Sequence, residues 1–391
     1  MTVAQIYALM NTVTTEILGS SDIVNEDLSN VVDVGTQILG ATSVDNYVKT
    51  LSDHIGKVIF VNRPYMGSAP SVMKDGWEYG SILEKISYTM PQATENESWN
   101  LTNGQSYDVN VFYKPVVSAK FFNNRITFEI PMSFTEMQVK SSFSNAVQLN
   151  AFISGIYSVI EKAMTVKLDA LIMRTINNFT AATIYDATKG TAHAGNISTV
   201  RAINLLKLFN DSQPTGTTAV KASDCLIHPE FLRFCAIHLG LTIDHMSKIS
   251  TLFNMGKQER FTPSDMLHII MLSDFDRAVS VYLQSDTFHK DLVSLPNHET
   301  VPYWQGSGET YSFDSVSTIH VNTSAGEVSQ SGILAVMFDN DALAVTNMNR
   351  RNTSNYNAKA EFINQWFKVD AQYYNDYNEN FVVFYVADAV V

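Results

Sequence analysis

The side chains best suited by type and spacing to chemistry are Cys225, His228, Cys235 and His238, which form two successive C-x2-H units. Thiolate and imidazole are the donors that tetrahedral Zn²⁺ takes, in closed structural sites or in catalytic sites that leave one position open. Their placement works against such a centre. Cys225–His228 reads as a short buried strand, and Pro229 then opens a helix at its first position, with Glu230 well placed in the first turn. The first pair would have to fold back onto the second across that helix. Cys and His on apolar elements are more often packed core residues, so the four remain weak zinc candidates and no metal site is assigned. His238 and His245 share a helix face only if the helix survives Gly240. The pairs Asp274/Asp276 and Asp339/Asp341 lack the glycine and distal Glu of a calcium loop and read as turn acids or helix caps. No G-x-S-x-G, Walker phosphate loop, H-E-x-x-H or dinucleotide glycine fingerprint occurs. No catalytic residue and no cofactor is therefore assigned, and the chain is not expected to be an enzyme.

Composition narrows the remaining classes. With 45% hydrophobic and 11% aromatic residues in a chain of 391, a sizeable core can be buried, in two or more sub-domains. Only 17% of residues are charged, below the ~25% usual for soluble domains, and amides and hydroxyls take their place, above all between Asn347 and Asn380. Few charges with many Tyr, Phe and Met describe the centre of a protein–protein interface. A net charge of −13 with no basic run beyond Arg350–Arg351 argues against a nucleic-acid-gripping surface, although such a protein can still enclose nucleic acid. Two cysteines do not make a disulfide framework and suit a reducing compartment. Residues 1–10 lack a basic n-region, and no apolar run approaches the ~18 residues of a membrane span, so neither a signal peptide nor a membrane association is expected. The N-x-S/T sequons, such as Asn96 and Asn352, then follow from Asn/Ser/Thr richness.

The elements that must position these residues are led by one long helix. From Ser144 to about Phe179, roughly 35 residues without a Gly-Pro break, apolar residues recur at spacings of three and four: Leu149, Phe152, Ile153, Ile156, Ile160, Met164, Leu168, Leu171, Ile172, Ile176 and Phe179. A loop rich in Thr, Ala and Gly follows over 180–199. No second helix of comparable length is available to pair with it. Residues 2–62 hold three short helical stripes, beginning Ile6, Leu9, Met10, Val13 and Ile17; each is too short to be stable alone and must dock on something. Residues 63–135 switch to period two: Ile82, Glu84, Ile86 and Tyr88, then a polar excursion holding Trp99 and the turn signal Asn103-Gly104, then Tyr107, Val109, Val111 and Tyr113, then Ile126, Phe128 and Ile130. Beyond 200 come a helix carrying Leu205, Leu206 and Leu208, a buried strand Leu267–Leu272, a helix Phe275–Leu292, and strands Ile319–Val321, Ile333–Phe338, Phe362–Tyr373 and Phe381–Val386. The fold class is α+β. A lone long helix beside a protruding hairpin describes an extended tile built for self-assembly.

That order of parts resembles the HK97-like major capsid protein of tailed double-stranded DNA phages, over essentially the whole chain. Ile333–Val345 looks like a core strand and turn of that family. Phe362–Tyr374 and Glu379–Tyr385 look like its closing strands, and His228–Arg233 like the start of a central-domain helix. The resemblance implies a helical N-terminal arm over 1–62, an extended β-hairpin loop with base strands over 63–135, and a peripheral domain with its spine helix over 136–189. An axial domain over 190–330 and C-terminal strands shared by both domains over 331–391 complete it. It further implies a structural subunit that assembles through pentamers and hexamers into an icosahedral virion capsid in the host cytoplasm. Its partners would be copies of itself, a portal and a scaffolding protein, enclosing DNA without sequence-specific binding. Trp99, Asn100 and Asn103 at the loop tip, with Ile6 and Tyr7 of the arm, are the expected inter-subunit contacts. An encapsulin-type cellular shell, another virion subunit such as a tail or sheath protein, and a zinc-dependent enzyme are the competing readings.

Overall fold

A computed structural model describes residues 69–74, 83–91, 93, 95, 102–104, 110, 112–114, 116–135, 137–138, 146–189, 196–285, 296–305, 311–324 and 326–389, with 7, 8, 11–13, 15, 16, 25 and 33 near the N-terminus. Strands β1 (Met73–Lys74), β2 (Leu83–Tyr88), β3 (Val117–Phe122) and β4 (Arg125–Thr135) precede helix α1 (Ala146–Thr188). Then come β5 (Ala202–Asn204), α2 (Leu205–Ser212), a 3-10 turn at Cys225–Ile227, α3 (Pro229–Met246), β6 (Leu267–Leu272), α4 (Ser273–Ser285), β7 (Glu299–Val301) and α5 (Phe313–Val316). Strands β8 (Ile319–Thr323), β9 (Gly326–Gln330), β10 (Ile333–Asp339), β11 (Leu343–Asn357), β12 (Phe362–Asn375) and β13 (Phe381–Tyr385) close the chain. These elements divide into two compact units: residues 1–80, 125–172 and 345–372 in one, 81–124, 173–344 and 373–391 in the other.

The first unit is organised by a four-stranded sheet in the order β1-β11-β12-β4. Strand β12 alternates as the pleat requires, turning Ile363, Gln365, Phe367, Val369 and Ala371 to the buried face. It pairs antiparallel with β4 from Phe362↔Thr135 to Gln372↔Arg125. Edge strand β4 carries Pro131 opposite Trp366, a residue that offers no N–H for further pairing. Asp370, with its side chain fully enclosed, is held by Arg125, by the Thr127 hydroxyl at 2.6 Å and by Arg351 at 2.8 Å. Burial alone would raise the Asp370 pKa, but these hydrogen bonds and charges outweigh it and hold the carboxyl below its ordinary value.

The second unit is built on a mixed five-stranded sheet in the order β5-β13-β10-β6-β7. β10 lies at its centre, antiparallel to both β13 and β6, and every one of its residues is buried, as its near-continuous apolar run requires of a strand covered on both faces. Phe179 of α1 stacks on Phe381 of β13 with ring centroids 4.0 Å apart. Trp304 is fully buried and donates from Nε1 to the Ile333 carbonyl at 2.8 Å. Gly332, at φ +77°, enters β10 where a Cβ would lie 2.1 Å from the Val386 carbonyl oxygen, so only glycine fits.

Several expectations change. The long helix has 43 residues and runs to Thr188, through the stretch expected to be a loop. Thr180, Ala181, Thr183 and Ile184 are buried there, so tertiary burial carries the helix past the point where the Leu/Ile stripe ends. Cys225–Ile227 is a 3-10 turn, not a strand. The return strand of the hairpin is Val117–Phe122; of the expected strand Tyr107–Tyr113, the described residues 110, 112 and 113 are not in a strand. Strand β11 has no counterpart among the expected strands. Helix α4 ends at Ser285, and the rest of the expected segment to Leu292 lies outside the described residues. The expected strands at 267–272, 319–321, 333–338, 362–373 and 381–386 are all present within a residue or two, and α3 does pass through Gly240.

Candidate assembly surface

The local sequence of the hairpin dictates two unlike faces. In β2 the odd-numbered Leu83, Lys85 and Ser87 alternate with Glu84, Ile86 and Tyr88; in β3 the even-numbered Ser118, Lys120 and Phe122 alternate with Val117, Ala119 and Phe121. The antiparallel register pairs Lys85 with Lys120 and Tyr88 with Val117, placing both lysines with Phe122 on one face and Ile86, Tyr88, Val117 and Phe121, with Glu84, on the other. A one-residue slip would exchange the faces, so whatever binds the lysines also determines what the ribbon shows on its other side.

The lysine face is anchored on the turn between β12 and β13. Lys85 Nζ lies 2.6 Å from Glu379 and 3.0 Å from Asp376, and Lys120 Nζ lies 2.9 Å from Asp376. Arg260 Nε completes the cluster at 3.2 Å from Glu379. The two carboxylates are 2% and 8% exposed, so they would be costly to leave unpaired. Burial alone would lower the Lys85 pKa, yet Glu379 and Asp376 more than offset it and the ammonium form is favoured. Burial likewise works against the Asp376 carboxylate, but Lys85 and Lys120 hold its pKa below the ordinary value. Beside the cluster Phe122 packs against Tyr374 with centroids 4.8 Å apart.

The opposite face is apolar and open. Ile86 is 52% exposed, Tyr88 68%, Val117 50% and Phe121 61%, and Met90 continues the row beyond β2. Further along the excursion Phe112 and Tyr113 are also exposed. A two-stranded ribbon is marginal alone. This one is held by charge on one side and presents four large apolar side chains on the other, with Glu84 opposite Phe121 as the charge among them, a mainly apolar composition that suits an interface.

The sequence-derived candidates fall as follows. Asn103 is exposed in a turn whose next residue, Gly104, has φ +87°, as the Asn-Gly signal predicted; Tyr7 is helical and half-buried. Ile6, Trp99 and Asn100 lie outside the described residues. The zinc candidates are not assembled, and among the described residues no three His, Cys, Asp or Glu side chains are grouped to hold a metal ion. His228 caps α3, its Nδ1 accepting from the Phe231 N–H; Cys225 Sγ donates to the Ala222 carbonyl at 3.1 Å; Cys235 is buried; His238 packs against Phe234. Burial pushes the Cys225 thiol up to about 12 and raises that of Cys235, so neither is an activated thiolate. Asp339 accepts from the Thr262 hydroxyl and from the Asp341 N–H in a turn, whereas Asp276, in the first turn of α4, meets the His298 side chain. Sequence reasoning overlooked Phe121, Val117 and the even-numbered face of β2. The available signal was the coincidence of lysines at alternate positions in two strands, which marks the polar face as the one that must find carboxylates.

The profile described as Phi29-like phage major capsid protein matches residues 10–385. Among solved structures, a chain in the structure of head fiber and inner core protein gp22 of native bacteriophage P68 aligns with a TM-score of 0.53. It is 9% identical, over 84% of this chain and 86% of that chain. A chain in the capsid structure of Staphylococcus phage Andhra aligns with a TM-score of 0.47 at 10% identity, over 84% and 86% respectively. No curated protein matches.

Proposed function

This chain belongs to the Phi29-like phage major capsid protein family, and from that premise we propose that the apolar face of β2 and β3 is where one copy lies against the next in the capsid shell. The protein is a structural shell subunit, as the family match gives it, and its place is the virion capsid. The observation that carries the proposal is the pairing of faces: one bound to the subunit's own buried carboxylates, the other apolar and uncovered. Covering the exposed halves of Ile86, Tyr88, Val117 and Phe121 contributes on the order of 1 kcal/mol apiece. That is modest per contact and sufficient when summed over a closed shell of heterologous interfaces. In this reading the subunits group as pentamers and hexamers around an axial domain near 190–330. A peripheral domain carries α1, the loop within 63–135 reaches a neighbour, and the N-terminal arm near Tyr7 docks against the assembly. The shell, built in the host cytoplasm with a portal and a scaffolding protein, encloses DNA without gripping it, in keeping with a net charge of −13. The test is the double substitution Tyr88→Ser/Phe121→Ser. It leaves circular dichroism and thermal unfolding of the free subunit unchanged and abolishes closed shells in negative-stain images. Normal shells from that variant would overturn the assignment.

A further inference from the structure

A concave site within the second unit is lined by none of the apolar residues of the β2–β3 face. It encloses about 660 Å³ between the C-terminal turns of α1, the tip of the β8–β9 hairpin and the end of β12. That volume is within the range of small-molecule sites, roughly 300–1,000 Å³. Its walls are rigid where they matter. Gly326 lets the hairpin approach α1 so closely that a Cβ there would lie 3.3 Å from Tyr185 Cε2, and Asn375 donates to the Thr175 carbonyl of α1 at 3.1 Å.

The lining chemistry is selective. Asn178 and Tyr185 come from α1, Asn322 and Thr323 from the hairpin tip, Tyr373 and Asn375 from β12. Ala182, Met255 and Val321 give it aliphatic wall, and most of the remaining lining is amides, hydroxyls and phenols. The only charged side chains of the site, Asp186 and Lys189, are exposed, and Asp186 is already paired with Arg201. One cation without a convergent set of N–H donors does not make a phosphate site. What remains is a set of amides and phenols. Each Asn side chain offers two donors and an acceptor, and among the described residues those of Asn178 and Asn322 are not taken up by protein partners. Tyrosine adds a ring face and a hydroxyl on a stiff side chain. A ligand matching this is uncharged, carries many groups that both donate and accept, and has C–H faces to lay on a ring.

We infer that this pocket binds a neutral saccharide of one or two rings, giving the shell subunit a glycan site separate from its assembly surface. The test uses the full-length chain and saturation-transfer NMR with maltose, cellobiose and N,N′-diacetylchitobiose, with glucose 6-phosphate as the charged counterpart. At least one disaccharide binds saturably, with a dissociation constant of about 1 mM or tighter. Asn178→Ala and Asn322→Ala each weaken it at least about tenfold, because an unmade hydrogen bond at a polar site is expensive. Circular dichroism and shell formation stay unchanged in both variants, so loss of binding is not read as loss of fold or of assembly. No saturable transfer from any of the three at about 10 mM would overturn the inference. So would equal binding in both variants, or tighter binding of glucose 6-phosphate.

Discussion

Removing the lysines beneath the hairpin should reveal how the assembly face is held. In Lys85→Met each carboxylate keeps one cation, because Glu379 retains Arg260 at 3.2 Å and Asp376 retains Lys120 at 2.9 Å. The loss is that of charge-assisted hydrogen bonds in a partly buried setting, about 2 kcal/mol. Lys120 is more exposed, and solvent screening reduces the effect of Lys120→Met to about 1 kcal/mol. The double variant is different in kind. Asp376, 2% exposed, is left with no cation, and an orphaned buried charge costs about 3–5 kcal/mol on its own. The double variant should therefore destabilise the docked ribbon by more than the two single effects combined, by at least about 1 kcal/mol. Hydrogen exchange of the β2 and β3 amides reads this directly, since each 1.4 kcal/mol is about tenfold in protection. Adding Asp376→Asn to the double variant removes the orphan charge and should return at least about tenfold of that protection. Additive single effects, or a further loss on adding Asp376→Asn, would refute the reasoning. The pH dependence has a definite sign. The Asp376 pKa is depressed in the folded state, so its contribution is fully present above the ordinary Asp value of about 3.9 and is lost as pH falls through the lower folded value. Lys85 has a raised pKa, so its contribution is present below about 10.4 and lost only in strong alkali. Between pH 5 and pH 8, protection corrected for intrinsic exchange should be flat.

Further outcomes follow from other parts of the molecule. Deleting Gln92–Gln105 should leave both units folded by circular dichroism and prevent shell formation; normal shells would show that this excursion makes no necessary inter-subunit contact. Phe179→Ala should cost about 3–5 kcal/mol in denaturant unfolding, because it empties a fully buried site against Phe381. With its pKa at about 12, Cys225 should resist alkylation by iodoacetamide at pH 8 until denaturant is added; rapid labelling of the folded chain would contradict its burial. Metal analysis of purified protein should find zinc well below one equivalent, and Cys225→Ser should leave that value unchanged.

What could be read in the residues was what local periodicity dictates. Spacings of three and four from Ile156 to Phe179 specify a helix face, and the apolar run Ile333–Phe338 specifies a strand covered on both sides, whatever surrounds them. Pro229 and Glu230 open α3 where capping rules place it. Other features had no local signal. Thr180 and Thr183 are poor helix formers whose helical state comes from burial, and the Asn-rich end of β11 is a strand because β12 lies beside it. The return strand of the hairpin moved from 107–113 to Val117–Phe122. Alternation permits several registers, and the choice among them fell to Asp376 and Glu379, more than 250 residues away along the chain. The four Cys and His residues show the same division. Their types and spacing were compatible with a metal centre, and only the fold shows His228 as a helix cap, Cys225 and Cys235 buried and His238 half-buried against Phe234. Sequence alone therefore determined the kind of element at most positions, because backbone preference and period act within a few residues. The face each element shows, and hence where this subunit meets another, required the fold, because charge pairing and burial act between residues that only folding brings together.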